Sequence, residues 1–248
     1  MIVRETYRDL LTPTGPMRTY TFAPVSANGA ARRDGGLVLY SEIFQITAPV
    51  RRMAVQMASL GYLVMAPEVY HAYEAPGCVL GYDEPGKNRG NVLKQVLKLT
   101  DFDADAKAVL TALREHPACN GKVGAFGICL GGHLAFRAGL RAEVGATACF
   151  YPTDLHSGTL GAGGGADTLS RVGKMSGELL LVFGRQDPHV PYEGRRKIYD
   201  TLEKAGTCFT WHEFNAAHAF VRDEGERYDP AAASLAISLA HDLFSRCL

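Results

Sequence analysis

Along most of the chain, short apolar runs alternate with stretches in which apolar residues recur every three to four positions. Brief apolar runs bounded by turn residues predict buried strands, and the 3–4 spacing predicts helices packed on one face. Arg18–Phe22, Leu37–Tyr40, Tyr62–Ala66, Val123–Phe126, Ala146–Tyr151, Glu178–Phe183 and Cys208–Phe214 read as strands. A helix opened by Pro49 carries Val50, Met53, Ala54, Met57, Ala58 and Leu60 and stops at Gly61. Further helices are predicted over Asp101–Glu115, from Leu134 to about Arg141, over Tyr192–Ala205, and over Pro230–Cys247. Strand and helix alternate throughout, which predicts one doubly wound α/β domain over residues 1–248, with a mainly parallel sheet and helices on both faces.

Four segments lack a clear period. Residues 1–17 are polar and turn-rich and are expected on the surface, and Pro24 is expected to end the first strand. Ser26–Gly36 reads as an exposed loop. Pro67–Thr100 holds prolines, several glycines and the rings of Tyr70, His71, Tyr73 and Tyr82. So long a connection inside a compact domain is usually functional or disordered, and its aromatic content points to a substrate-facing loop. Gly158–Gly173 reads as a mobile loop. Within it, Gly161 to Ala166 formally fits the dinucleotide fingerprint G-x-G-x-x-A. A real fingerprint follows a strand directly and opens a helix, and this one does neither, so no nucleotide site is read there.

The totals narrow the function further. Basic and acidic residues balance at 26 each, which gives no electrostatic case for nucleic acid or a membrane surface. No apolar run is long enough to cross a membrane, and Arg4, Glu5, Arg8 and Asp9 stand where a signal peptide would be apolar. The 6 cysteines and 8 histidines show neither disulfide-framework nor metal-ligand spacing. A cytoplasmic protein without metal or cofactor is the expectation.

The most informative stretch is Val123–His133. An apolar strand runs into Gly127–Ile128–Cys129–Leu130–Gly131–Gly132, and helix-forming residues follow at once. A strand turning this sharply into a helix leaves no space for side chains beside its apex, which requires glycine two positions before and after it. This is the nucleophile-elbow pattern with cysteine at the apex, where the helix N-terminus favours a thiolate. The competing reading is close helix packing with Cys129 as a small buried apolar residue.

Two more candidates fall at later strand ends, where open α/β sheets gather ligand-handling groups: Asp187 and His218. By chemistry Cys129 would attack an acyl carbon, His218 would move the proton, and Asp187 would orient the imidazole. Alone, Asp187 before Pro188 also reads as a turn former, and His218 as a structural histidine. Together, nucleophile, acid and histidine stand in the chain order of α/β-hydrolases.

Gly127–Gly132, Asp187–Pro188 and His218–Ala219–Phe220 resemble the dienelactone hydrolase family, as do Ser41–Glu42–Ile43–Phe44 and Arg222, four residues past His218. The resemblance spans roughly Leu37 to Arg222. It implies an α/β-hydrolase fold and a cofactor-free hydrolase opening lactones or small esters. It further implies that Glu42 contacts the Cys129 thiol, that the N–H groups of Leu130 and Ile43 form an oxyanion hole, and that Arg222 binds a substrate carboxylate. Family members that open dienelactone use a second arginine in the loop after the Pro67–Tyr70 segment. This loop instead reads His71–Ala72–Tyr73–Glu74, with no arginine before Arg89. Tyr70, His71, Tyr73 and Arg89 are therefore carried as candidate substrate contacts. The expected partner is a small molecule, and the chain is expected to act as a monomer or small homo-oligomer. A non-catalytic ligand-binding protein on the same fold, and an esterase or thioesterase of other preference, are the alternatives.

Overall fold

The computed structural model describes residues 2–25 and 33–248. Eight strands form one sheet: β1 (Ile2–Thr12), β2 (Gly15–Val25), β3 (Asp34–Tyr40), β4 (Leu63–Pro67), β5 (Cys119–Ile128), β6 (Val144–Phe150), β7 (Glu178–Gly184) and β8 (Phe209–Phe214). The spatial order is β1-β2-β4-β3-β5-β6-β7-β8. The β1–β2 and β2–β4 pairs are antiparallel and every other pair is parallel, so the doubly wound, mainly parallel sheet is present. Among the described residues there are six α-helices, five between strands and the last after β8: α1 (Ala48–Ser59), α2 (Glu84–Val96), α3 (Leu99–Arg114), α4 (Leu130–Gly139), α5 (Tyr192–Ala205) and α6 (Pro230–Cys247).

Period-two alternation along β5 assigns the two faces. Phe126 meets Phe244 of α6, with ring centroids 6.3 Å apart. A Cβ on the next residue, Gly127, would lie 2.0 Å from Gly131 O in α4. Successive side chains of a strand point to opposite faces, so α6 and α4 cover opposite sides of the sheet. Tyr62, just past α1, stacks edge-on against Phe244 and His241 of α6, and α3 packs with α4. The central strands are buried on both faces and read as continuous apolar runs, as parallel strands do.

Several boundaries differ from expectation for identifiable reasons. Residues 1–17 contain all of β1 and the start of β2. As an edge strand β1 is solvated almost throughout, so no buried stripe marks it in the sequence. Pro24 does not end β2. It pairs only with Val3 of β1, beyond the Thr19–Phe22 segment that pairs with β4, and its missing N–H costs no second ladder. Of the expected loop at 26–36, residues 26–32 lie outside the described residues, and Asp34–Gly36 begin β3.

The largest correction concerns 67–100, of which Glu84–Val96 is helix α2. Asp83 caps it by accepting the Gly86 N–H at 2.9 Å, and Pro85 fits its first turn. A Cβ at Gly86 would sit 2.1 Å from Gly81 O, and one at Gly90 would sit 2.5 Å from Ile43 O. These glycines mark close backbone approach rather than a loop. Gly158–Asp167 forms turns with a 3₁₀ segment, Leu169–Lys174, beyond it, so neither strand nor α-helix flanks the G-x-G-x-x-A match. Among the described residues no helix is long and apolar enough to cross a membrane, no metal-binding cluster occurs, and the six cysteines are free.

Candidate active site

The chain winds from β3 outward to β4, returns to β5 beside β3, and then continues in the opposite direction. Between the carboxyl ends of β3 and β5 the loops therefore diverge, and a crevice opens there. A cleft of about 530 Å³ occupies this position. Its wall includes Glu42 and Ile43 after β3, Cys129 after β5, Thr153 and Asp154 after β6, His189 after β7, and His218 and Arg222 after β8. Sequence proximity is irrelevant to this grouping; parallel strand ends produce it.

Cys129 is the N-cap of α4 and has φ 57° and ψ −121°. A non-glycine residue there stores roughly 1–3 kcal/mol of backbone strain. The surroundings hold it: its N–H donates to Phe150 O at 3.0 Å, and its carbonyl accepts from Gly132 and Thr153. A Cβ at Gly131 would lie 2.1 Å from Tyr40 O, and one at Gly132 would lie 2.8 Å from Phe150 O. The elbow is thus wedged between the ends of β3 and β6, and glycine is dictated by contact on both sides. Leu130 opens α4, so its N–H has no acceptor one turn back within the helix. Ile43, across the cleft mouth, also lines the cavity.

His218 lies between Cys129 and Asp187. Its Nδ1 donates to Asp187 Oδ2 at 2.6 Å, and Cys129 is near enough for its charge to act on the ring. Asp187 Oδ1 accepts the backbone N–H of His189 at 2.7 Å. Burial pushes the Asp187 carboxyl up, but the hydrogen bond and charge of His218 outweigh it and hold the group below its ordinary value. For His218 burial works downward, and the Cys129 sulfur together with Asp187 overcomes it, so the imidazole is held above its ordinary value. Tyr151 and His189 pack edge-on against the ring at 4.9 and 4.6 Å, fixing its plane.

Arg222 forms the other wall of the site. Its Nη1 is 3.6 Å from Glu42 Oε2, its guanidinium lies 4.2 Å from the Tyr82 ring centroid, and its Nε donates to Glu224 O at 3.0 Å. Glu42 is buried, and burial raises its carboxyl above the ordinary range against the pull of Arg222. Its ion-pair partner among the described residues is Arg222.

The four residues carried from the aromatic loop do not line the cleft. Tyr70 is buried and braces the scaffold, its hydroxyl donating to Gly90 O at 3.2 Å and its N–H to Gln45 at 3.3 Å. His71 faces Thr12 and Thr14 near the β1–β2 turn. Tyr73 is exposed, and Arg89 is held by Glu74 at 2.6 Å. The loop supplies Tyr82 instead, which reaches Thr47 at 2.7 Å and backs Arg222. Also unforeseen are His189, Lys94, Asp154 and Arg227. His189 was findable, since it stands two residues past Asp187 at the same strand end. Lys94 and Asp154, paired at 2.8 Å, come together only once α2 is in place.

The family model described as the dienelactone hydrolase family matches residues 17–248. A Saccharomyces cerevisiae protein named "Putative carboxymethylenebutenolidase" is 42% identical over 256 aligned positions, covering 100% of this chain and 93% of that protein. The carboxymethylenebutenolidase of Pseudomonas putida is 29% identical over 219 positions, 88% of each chain. Among solved structures, the "Putative Dienelactone Hydrolase" of Klebsiella pneumoniae superposes with a TM-score of 0.84 at 18% identity, covering 99% of this chain and 100% of that one. Esterase 2 of Thermogutta terrifontis gives 0.72 at 20% identity, over 98% and 94%. The fold is that of the α/β-hydrolases, and with its sequence matched from β2 to the last residue, the chain belongs to the dienelactone hydrolase family and is a hydrolytic enzyme.

Proposed function

We propose that this enzyme opens small lactones or carboxylic esters through a Cys129 acyl-enzyme. The observation that carries the reading is Cys129 at the apex of a strained elbow, in one cleft with His218, whose imidazole is hydrogen-bonded to the Asp187 carboxylate at 2.6 Å. The Cys129 thiolate adds to the ester carbonyl, and the oxygen that becomes negative is met by the N–H groups of Leu130 and Ile43. Such donors are worth about 3–4 kcal/mol of transition-state stabilisation each. The C–O bond to the alcohol breaks as the His218 imidazolium gives its proton to the departing oxygen, leaving a thioester. Water then attacks the thioester with neutral His218 accepting its proton, and the C–S bond breaks to return the thiolate–imidazolium pair. One water is consumed; a carboxylate and an alcohol, or one ring-opened product from a lactone, are released.

Two features support a lactone among the substrates. The relatives' name, carboxymethylenebutenolidase, denotes a butenolide lactone bearing a carboxymethylene group. In this chain the cleft is compact and carries Arg222 beside the nucleophile. The test is steady-state hydrolysis of dienelactone and an aryl acetate by wild-type protein and by Cys129→Ala. Turnover lost in the variant supports the mechanism, and which compound wild type prefers sets the substrate class. Equal activity in both proteins would refute Cys129 as the nucleophile. No turnover by wild type, with ligand-induced stabilisation instead, would favour a binding protein.

A further inference from the structure

Two rings pack edge-on against the His218 imidazole, Tyr151 at 4.9 Å and His189 at 4.6 Å between centroids. They differ in what they reach. Tyr151 is fully buried behind the site, whereas His189 is exposed and lines the cleft together with Cys129 and His218. In the steps above the His189 side chain has no task. Its backbone N–H is spent on Asp187 Oδ1 at 2.7 Å. Neither ring nitrogen hydrogen-bonds another group among the described residues, so both are available to what enters the cleft.

The ring is nonetheless held in place and held neutral. Pro188 restricts the backbone just before it. Val190, just after it, is buried and gives its carbonyl to Arg195 Nη1 at 2.9 Å, and Arg195 faces Glu213 of β8 at 3.2 Å. Partial burial and the charge of His218 oppose protonation of His189, Arg227 and Lys94 add to them, and Asp187 pulls the other way. The net direction is down from the ordinary histidine value. A neutral imidazole keeps one nitrogen that accepts a hydrogen bond.

An accepting group beside His218 matters in one half of the reaction. During acylation no water reacts, and His218 serves the thiol and the departing oxygen alone. During deacylation a water must be held against the thioester while His218 takes one of its protons. Its other O–H then needs an acceptor, and orienting a reactant at two points lowers the entropy cost of the step.

We propose that His189 is a catalytic residue of deacylation, its accepting ring nitrogen holding the second O–H of the attacking water. The first O–H gives its proton to His218, the oxygen bonds to the acyl carbon, and the C–S bond breaks to return its electron pair to Cys129. The second hydrogen stays on the product acid, which ionises on release, so no proton ends on His189. This rests on the hydrolase reading above and names a residue that separates its two halves.

The test reads those halves separately with one 4-nitrophenyl ester. Release of 4-nitrophenolate with enzyme in excess reports acylation, and intact-protein mass of acid-quenched samples reports decay of the acyl-enzyme. His189→Phe keeps a ring against His218 but no acceptor. In it deacylation falls about tenfold, the size expected for one hydrogen bond, while acylation stays within about threefold of wild type. His189→Gln keeps a side-chain acceptor and recovers most of the deacylation rate. Equal factors in both halves, no change in either, or a His189→Gln as slow as His189→Phe overturns the assignment and leaves the hydrolase reading intact. A wild type that forms no acyl-enzyme and turns nothing over is a distinct result: it refutes the hydrolase reading, and this role falls with it.

Discussion

Replacing Asp187 by asparagine isolates one interaction with an outcome fixed by the local hydrogen bonds. Asp187 uses both oxygens, Oδ2 toward His218 Nδ1 at 2.6 Å and Oδ1 toward the His189 backbone N–H at 2.7 Å. The His189 N–H can only donate, so in Asp187→Asn the amide oxygen must keep that position. The NH2 group is then forced against His218 Nδ1. Two donors cannot face each other, so the imidazole must carry its proton on Nε2, the side of the thiol. A histidine in that tautomer can neither accept the thiol proton nor be stabilised as an imidazolium.

The size follows from the geometry. Asp187 and His218 are both buried, and opposite charges about 4 Å apart at an effective dielectric of about 20 attract by about 4 kcal/mol. At about 1.36 kcal/mol per decade, kcat/KM should fall by roughly three orders of magnitude. The assay is hydrolysis of a neutral aryl ester between pH 5 and 9, together with nitrogen NMR of the imidazole. The His218 proton should sit on Nδ1, toward Asp187, in wild type and on Nε2 in the variant. Activity within a factor of three of wild type, with the same pH profile, would refute the chain of reasoning.

Two further outcomes test the fold beneath the site. Gly131→Ala places a methyl 2.1 Å from Tyr40 O and 2.5 Å from Ser41 O, both backbone, so it should destabilise by about 3 kcal/mol or more in urea unfolding. In Gly145→Ala the nearest atom is 3.8 Å away and the change should stay within about 0.5 kcal/mol; similar losses in both would refute the wedge. Asp105 of α3 is raised to about 7 by burial, with His71 Nδ1 3.8 Å away. A carboxyl whose folded value lies above its unfolded one keeps its proton longer in the native state. Stability should therefore fall as pH rises from about 4 to about 7, by a few kcal/mol. Asp105→Asn should flatten this part of the curve of Tm against pH, and an unchanged slope would remove Asp105 as its cause.

The parts of the site that were legible in the sequence are those whose constraint is local. The elbow announces itself because a backbone turned at Cys129 excludes side chains on neighbouring residues, so Gly127, Gly131 and Gly132 report the geometry by composition alone. Asp187 and His218 follow because parallel strands end on one side, and chain order then indicates which ends matter. The α5 and α6 spans come out as Tyr192–Ala205 and Pro230–Cys247, their boundaries marked by Pro191, Gly206, Asp229 and Pro230.

What escaped is the material whose meaning depends on a distant neighbour. Gly86 and Gly90 look like helix breakers in sequence, yet each is small because Gly81 or Ile43 passes within van der Waals range. Once α2 is seated by those contacts, the aromatic loop is turned away from the nucleophile. Tyr70 becomes a brace for Gly90, and His71 is drawn to the β1–β2 turn. The same seating brings Tyr82 onto Arg222 and Lys94 onto Asp154, so this cationic wall is assembled from α2, the turn before it and the loops after β6 and β8. Missing an arginine in the loop after β4 thus says little about whether the cleft takes an anion. Its charge is set by which cations the tertiary structure leaves unpaired, and among the described residues that line it, Arg227 is the one so left.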